Sequence, residues 1–147
     1  MIFAKINILL ADDDKDDCDL FEEVLGELPI TANLITVSDG VLLMKKLTEL
    51  ADNLPDIVFI DNNMPRKTGF ECLKEIKRNK KFGHLPVIII STASGQEVID
   101  LFFENGAHYY IHKPNNFSYL KEAILNSILL TMNSNFLKPR KADFVLQ

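Results

Sequence analysis

Four short apolar runs in this chain each stop at residues that can do chemistry. Ile6–Ala11 stops at Asp12-Asp13-Asp14, and Ile57–Ile60 stops at Asp61-Asn62-Asn63. Val87–Ile90 stops at Ser91-Thr92, and His108–Ile111 stops at His112-Lys113-Pro114. If these runs are parallel strands of one sheet, their ends share one edge, and carboxylates, a hydroxyl and an ammonium converge there. Two carboxylates about 4 Å apart repel by roughly 4 kcal/mol at an effective dielectric near 20. Lys113 supplies one positive charge against that repulsion. A divalent cation is the natural remainder, and all-oxygen ligands favour Mg²⁺ or Mn²⁺. Mg²⁺ takes one or two carboxylates, keeps several waters and draws its other ligands from a phosphate.

A carboxylate can also attack a phosphoryl donor and form an aspartyl phosphate. Phosphoryl transfer demands positioning and charge stabilisation above all. Asp61 is the expected nucleophile, because acidic neighbours flank it on one side and Lys113 and Ser91 on the other. The expected metal ligands are Asp13 and Asp61 directly, Asp12 partly through water, and the backbone carbonyl of Asn63. Lys113 would pair with one phosphoryl oxygen, and the Ser91 hydroxyl would hydrogen-bond another.

Those residues need elements to position them. Amphipathic stretches separate the apolar runs. Asp16–Leu28 carries Leu20, Phe21, Val24, Leu25 and Leu28 on one helical stripe that Pro29 ends. Asn33–Val37 reads as a further strand, and Ser38-Asp39-Gly40 caps a helix bearing Val41, Leu42, Met44, Lys45 and Leu47. Gly69–Lys80 places Phe70, Leu73, Ile76 and Lys77 at helical spacing. Gln96–Asn105 is a helix closed by Gly106, and Phe117–Leu130 is the last, with Leu120, Ile124, Leu125 and Ile128 inward. The runs at 56–60 and 87–90 are nearly all β-branched or aromatic, which suits strands buried on both faces. Five strands alternating with five helices predict an α/β fold, a doubly wound parallel sheet of order 2-1-3-4-5. In such sheets ligands bind beyond the carboxyl ends of the strands. Residues 1–130 form the expected domain, and 131–147 an expected tail with no output domain.

Composition narrows the classes. The 147 residues suit one domain, and 47% apolar with 25% charged residues is ordinary for a globular chain. The net charge of −5 argues against a nucleic-acid-binding surface. No run reaches about 18 apolar residues, and Met1–Asn7 lacks the regions of a signal peptide. Cys18 and Cys72 lie far apart, so they read as thiols of a reducing, cytoplasmic compartment. His84, His108 and His112 lack metal-ligand spacing, which excludes a zinc site.

The chain resembles the response-regulator receiver domains of two-component signalling. Asp12-Asp13 after an apolar strand matches the family's acidic pair. Asp61-Asn62-Asn63-Met64-Pro65-Arg66-Lys67-Thr68-Gly69 matches its D-x-x-M-P-x-x-x-G loop. Pro86–Ser91 matches the strand ending in Ser or Thr, and Gly106-Ala107 and Lys113-Pro114 match its G-A and K-P pairs. The resemblance spans residues 5 to about 130 and implies a flavodoxin-like fold. It implies phosphorylation of Asp61 by a histidine kinase or phosphotransfer protein, and a switch pairing Ser91 with Tyr110. It also implies a cis bond between Lys113 and Pro114. The layout is similar to the single-domain chemotaxis regulators. It implies a monomer or weak dimer that signals by protein contact to a downstream partner, without enzymatic activity beyond self-phosphorylation and autodephosphorylation. Thr92 stands where Ala is common, Arg66 where Gly is common, Asp14 adds a third carboxylate, and Asn115-Asn116 lengthens the segment after Pro114 by one residue.

Two other functions compete. A Mg²⁺-dependent phosphohydrolase of the haloacid-dehalogenase type would need D-x-D, and Asn63 stands in place of the second Asp. A binding module with this fold and no phosphorylation would not need the full set Asp12, Asp13, Asp61, Ser91 and Lys113. Val98, Ile99, Leu101, Phe102 and Phe103 make the fourth helix more apolar than one buried face needs, which leaves deep packing or a partner surface. In the tail, Lys138, Arg140 and Lys141 read as solvated, and Phe144-Val145-Leu146 as a solvated end or a docking or dimer segment.

Overall fold

The computed structural model describes residues 5–29 and 31–146. Met1–Ala4, where the expected domain begins, and Gln147, where the expected tail ends, lie outside the described residues. The elements run β1 Lys5–Ala11, α1 Lys15–Leu25, β2 Thr31–Val37, α2 Gly40–Glu49, β3 Ile57–Asp61, α3 Gly69–Arg78, β4 Val87–Ser91, α4 Gln96–Glu104, β5 Tyr109–His112 and α5 Phe117–Asn133. A short 3₁₀ turn at Lys141–Asp143 then leads into β6 Val145–Leu146. All strand pairs are parallel, and the sheet order is β2-β1-β3-β4-β5-β6. The doubly wound 2-1-3-4-5 order is therefore present, with one further strand at its edge.

The period-2 alternation of strand side chains divides the core between the two faces of the sheet. Ile8, Leu10, Ile57 and Phe59 pack on one side with Leu20, Phe21 and Val24 of α1 and Leu120, Ile124 and Ile128 of α5. Leu9, Val58, Ile60, Val87 and Ile89 pack on the other with α2, α3 and α4. Because β3 and β4 are covered twice, every one of their residues is buried. Phe21 meets Phe59 edge-on at 4.9 Å, which locks α1 to the central strand.

Several boundaries differ from the sequence expectation for physical reasons. β2 starts two residues earlier, at Thr31, because as an edge strand it is held by backbone pairing to Lys5 and Ile6 rather than by apolar burial. α2 buries Gly40, Leu43 and Leu47, while Val41 and Leu42 are exposed. α5 runs three residues beyond Leu130, because the hydroxyls of Ser127 and Thr131 donate to the carbonyls of Ile124 and Ser127 and so can be buried inside a helix. On α4 both readings hold in part: Ile99 and Phe102 are buried, whereas Val98 and Leu101 are exposed.

The largest difference lies beyond residue 130. Asn135 and Phe136 adopt left-handed backbone (φ 58° and 64°), which turns the chain back after α5. The segment then enters the sheet, with Val145 opposite Tyr110 and Leu146 opposite Ile111. Phe144, just before β6, is 1% exposed and lies in the core. The expected tail thus continues the fold.

Candidate functional site

Asp61 and Ser91 are the last residues of β3 and β4, Asp12 and Lys113 the first beyond β1 and β5, Asp13 and Asn63 the second beyond β1 and β3, and Tyr110 lies within β5. Backbone pairing continues past the strands and fixes them. The Asp12 amide donates to Val37 O (3.0 Å), the Asn62 amide to Ile90 O (3.0 Å) and the Lys113 amide to Ser91 O (2.8 Å). Helix caps hold the flanking loops. Asp14 accepts from the amides of Asp16 and Asp17 and starts α1, while Thr68 and Glu71 form a reciprocal capping box at the start of α3. Asn62 Oδ1 accepts from the Phe70 amide (3.0 Å), which draws α3 against the loop after β3. That approach explains the glycine at the end of the loop: a Cβ on Gly69 would lie 2.8 Å from Asn62 Cα.

Asp12 and Asp61 are buried, and Asp13 is exposed beside them. Carboxylate oxygens of the three lie within 4.8 Å of one another. Asp12 Oδ1 accepts the Asp14 amide and Asp61 Oδ1 the Asn63 amide, both at 2.9 Å. Burial pushes the Asp12 carboxyl up to about 8; the Asp14 amide pulls the other way, and the charges of Asp61 and Asp17 add to the rise. Burial likewise raises Asp61 above the usual carboxylate range, against the Asn63 amide and the Lys113 charge.

Lys113 reaches this cluster but is already engaged. Its ammonium pairs with Asp17 Oδ2 at 2.5 Å. Burial works against the ammonium, yet the hydrogen bond and charge of Asp17, with Asp61 and Asp12 behind it, outweigh burial and raise its pKa. Asp17 was not among the residues singled out from the sequence. It lies in the first turn of α1, two residues into the helix, and its partner is 96 residues away, so no local pattern marks it.

The Lys113–Pro114 bond is not cis: there is no cis peptide bond among the described residues. The trans form is favoured by about 0.5–1 kcal/mol before proline. In the present arrangement the ammonium is held by Asp17, beside the acidic cluster.

Ser91 is buried at the end of β4, and Thr92 is exposed. Ser91 Oγ accepts from the Ala93 amide (3.1 Å), and Tyr110 OH donates to the Ala93 carbonyl (2.6 Å). The two switch candidates therefore grip the same residue of the β4–α4 loop. Tyr110 is fully buried, with its ring pointing inward. Asn63 is exposed in the loop after β3, and Arg66 follows in left-handed backbone (φ 67°) with its Nε 3.3 Å from Asp39 Oδ2.

With Lys113 paired to Asp17, the Asp12, Asp13 and Asp61 carboxylates have a surplus of negative charge. Hard oxygen donors at this spacing, on rigid strand ends and partly open to solvent, fit a hard divalent cation.

Known proteins share this sequence family and this fold. Residues 8–125 match the family described as the response regulator receiver domain. The response regulator Rcp1 of Synechocystis is 32% identical over 113 residues, 74% of this chain and 77% of that protein. The solved structure of the phosphorylated cyanobacterial phytochrome response regulator RcpA superposes with a TM-score of 0.81 at 31% identity, covering 93% of this chain and 100% of that one. The Mn²⁺-bound form of Rcp1 superposes with a TM-score of 0.79 at 29% identity, covering 92% and 99%. Receiver domains bind divalent metal ions and take phosphoryl groups from histidine kinases. The chain belongs to the response regulator receiver family, the phosphorylation-activated switches of two-component signalling.

Proposed function

We propose that Asp61 is the phosphoacceptor of this switch and that Mg²⁺ is the metal at its acidic cluster. The observation that carries the reading is the convergence of three carboxylates, Ser91 and Lys113 on one edge of the sheet. An Asp61 carboxylate oxygen attacks the phosphorus of a phosphohistidine on a kinase or phosphotransfer protein. A P–O bond forms, the P–N bond breaks, and the imidazole leaves with the bonding pair and takes up a proton. The Asn63 amide occupies Oδ1 and so leaves Oδ2 as the attacking oxygen. Lys113 swings from Asp17 to a phosphoryl oxygen, and the Ser91 hydroxyl donates to another. Asp13, Asp61 and the Asn63 carbonyl would hold the cation, with Asp12 partly through water. When bound, the cation offsets the clustered carboxylates and the negative charge that builds on the phosphoryl oxygens.

The phosphoryl group brings a charge of about −2. Ser91 moves toward it, and Tyr110, already inward, closes into the space behind. The output is protein contact by a cytoplasmic monomer or weak dimer, with no nucleic acid, membrane or external substrate involved. Among the described residues, no helix is long and apolar enough to cross a membrane.

The test is intact mass after incubation with acetyl phosphate, with and without Mg²⁺, on wild type and Asp61→Asn. One Mg²⁺-dependent phosphoryl adduct, absent from the variant, is the expected result. An equal adduct in Asp61→Asn would overturn the assignment of Asp61, and no adduct in wild type would favour a binding module.

A further inference from the structure

The segment after α5 does more than extend the sheet. It returns across the end of α4 and is tied to both elements beside it. His108 Nε2 and the Phe136 carbonyl are 3.1 Å apart. Lys138 Nζ donates to the Phe103 carbonyl at 2.7 Å, and its ammonium sits 3.9 Å above the Phe103 ring. Lys141 Nζ lies 3.2 Å from Asp100 Oδ1. These ties deliver Phe144 into the core, edge-on to Phe103 at 5.1 Å and 6.2 Å from the ring of Tyr110. The Tyr110 amide donates to the Phe144 carbonyl at 3.0 Å.

Tyr110 thus stands between the strap and the site. On one side its ring is flanked by Phe102 (5.5 Å) and Phe144. On the other its hydroxyl holds Ala93, whose amide holds Ser91. Each link from Phe144 through Tyr110 and Ala93 to Ser91 is a direct contact. A buried tyrosine ring packed against two aromatic neighbours moves outward only if one of them yields, because cores of this density do not deform continuously.

We infer that residues 134–146 form a strap coupled to the phosphorylation switch, with Phe144 as a positioning residue that holds Tyr110 inward. The inference rests on Asp61 being the phosphoacceptor. Phosphorylation draws Ser91 away and favours the inward tyrosine, which is the same position that a docked Phe144 favours. Coupling of this kind is reciprocal: the strap tightens when the site is phosphorylated, and the site takes the phosphoryl group more readily when the strap is docked. While docked, the strap also covers the outer edge of β5, so a partner reaching that edge must displace it.

The experiment uses the full chain with Mg²⁺ and beryllium fluoride as the phosphoryl mimic. In wild type, exchange of the Tyr110 amide and of the strap amides at Asp143 and Phe144 should slow at least five-fold on saturation, the low end of ordinary coupling. Phe144→Ala should weaken beryllium fluoride binding by the same factor, and Phe144→Leu should restore part of it. A strap that only adds stability would lower the melting temperature and leave that affinity unchanged. Unchanged strap exchange in saturated wild type, or equal affinity in a folded Phe144→Ala, overturns the coupling. If Phe144→Ala does not fold, the wild-type exchange decides alone. If wild type neither binds beryllium fluoride nor gains a phosphoryl adduct by mass, the phosphoacceptor reading fails and the coupling falls with it.

Discussion

Removing one charge from the acidic cluster should stabilise the metal-free protein while abolishing its response to Mg²⁺. Asp61→Asn is the cleanest form of this perturbation. The amide oxygen of Asn can still accept the Asn63 amide that Asp61 Oδ1 accepts at 2.9 Å, so the loop keeps its anchor. What disappears is charge. Carboxylates at the 4.8 Å limit of the cluster repel by roughly 3 kcal/mol per pair at an effective dielectric of about 20. Two effects reduce the gain. Burial raises the Asp12 carboxyl to about 8, so it carries less than a full charge near neutral pH and part of the repulsion is already relieved. The attraction between Asp61 and Lys113 is also lost. A net stabilisation of about 1–2 kcal/mol remains, an increase of roughly 2–8 °C in melting temperature for a domain of this size. The assay is thermal and urea unfolding at pH 7 in a chelator, repeated in millimolar Mg²⁺. Wild type should gain stability from Mg²⁺ by binding linkage, and Asp61→Asn should gain little. A variant that melts below wild type in chelator, or that keeps the full Mg²⁺ increment, would refute the picture of a cluster strained by its own charge.

Three further outcomes follow from the geometry. His108 is buried, and burial, helped by the Lys77 charge, pushes its imidazole down to about 4. Between that value and about 6.5 the unfolded chain binds a proton that the native state refuses, so stability is full above pH 6.5 and falls by up to about 3 kcal/mol as pH drops to 4; urea midpoints across this window should show the slope in wild type and a flatter one in His108→Gln. Asp17→Asn releases Lys113 from its present partner, and beryllium fluoride affinity should rise roughly five-fold, about 1 kcal/mol for a partly exposed pair; a weaker affinity would mean that Asp17 aims the lysine rather than competing for it. Gly40→Ala places a Cβ 2.4 Å from the Lys67 carbonyl and 2.7 Å from Cys72 Sγ; the first is backbone and cannot step aside, so unfolding should show a loss of about 1–3 kcal/mol, and an unchanged midpoint would mean that the loop carrying Lys67 is free to shift.

The parts of this molecule legible in the sequence are those set by local pattern. β3 and β4 read clearly because burial on both faces demands an unbroken apolar run. Leu20, Phe21, Val24 and Leu25 marked the inner face of α1 because a helix buries one stripe. Asp12, Asp13, Asp61, Ser91 and Lys113 were legible as a set because parallel strands bring their carboxyl ends to one edge. The parts that were not legible depend on distant partners. Lys113 and Asp17 are 96 residues apart, and no local rule pairs them. β6 is two residues long, and Phe144 is buried only because α4 and β5 have already built a place for it. On α2, Leu43 rather than Val41 or Leu42 faces the core, since four adjacent apolar residues fix a helix but not its rotation.

The electrostatics of the site explain how one modification can reach two sides of the molecule. In the resting state Lys113 is bound to Asp17 on α1, and Ser91 is bound to Ala93 in the loop before α4. The Lys113 ammonium is thus already employed as a donor, and the Ser91 oxygen as an acceptor, in holding neighbouring elements, so a move of either group toward a phosphoryl oxygen strains or breaks a tie. A phosphoryl group on Asp61 carries about twice the charge of a carboxylate. At similar distance it attracts the Lys113 ammonium about twice as strongly as Asp17 does. In the proposed switch, then, the lysine transfers, and α1 loses a tie to the sheet edge. The same charge draws the Ser91 hydroxyl, and Ala93 loses the acceptor for its amide while Tyr110 still holds its carbonyl. Recruiting groups with existing partners makes the resting state stable and the phosphorylated state different on both the α1 and the α4–β5 sides. A site whose lysine and serine were unengaged would bind the phosphoryl group more tightly, but it would transmit less, because nothing would be released when the group arrived.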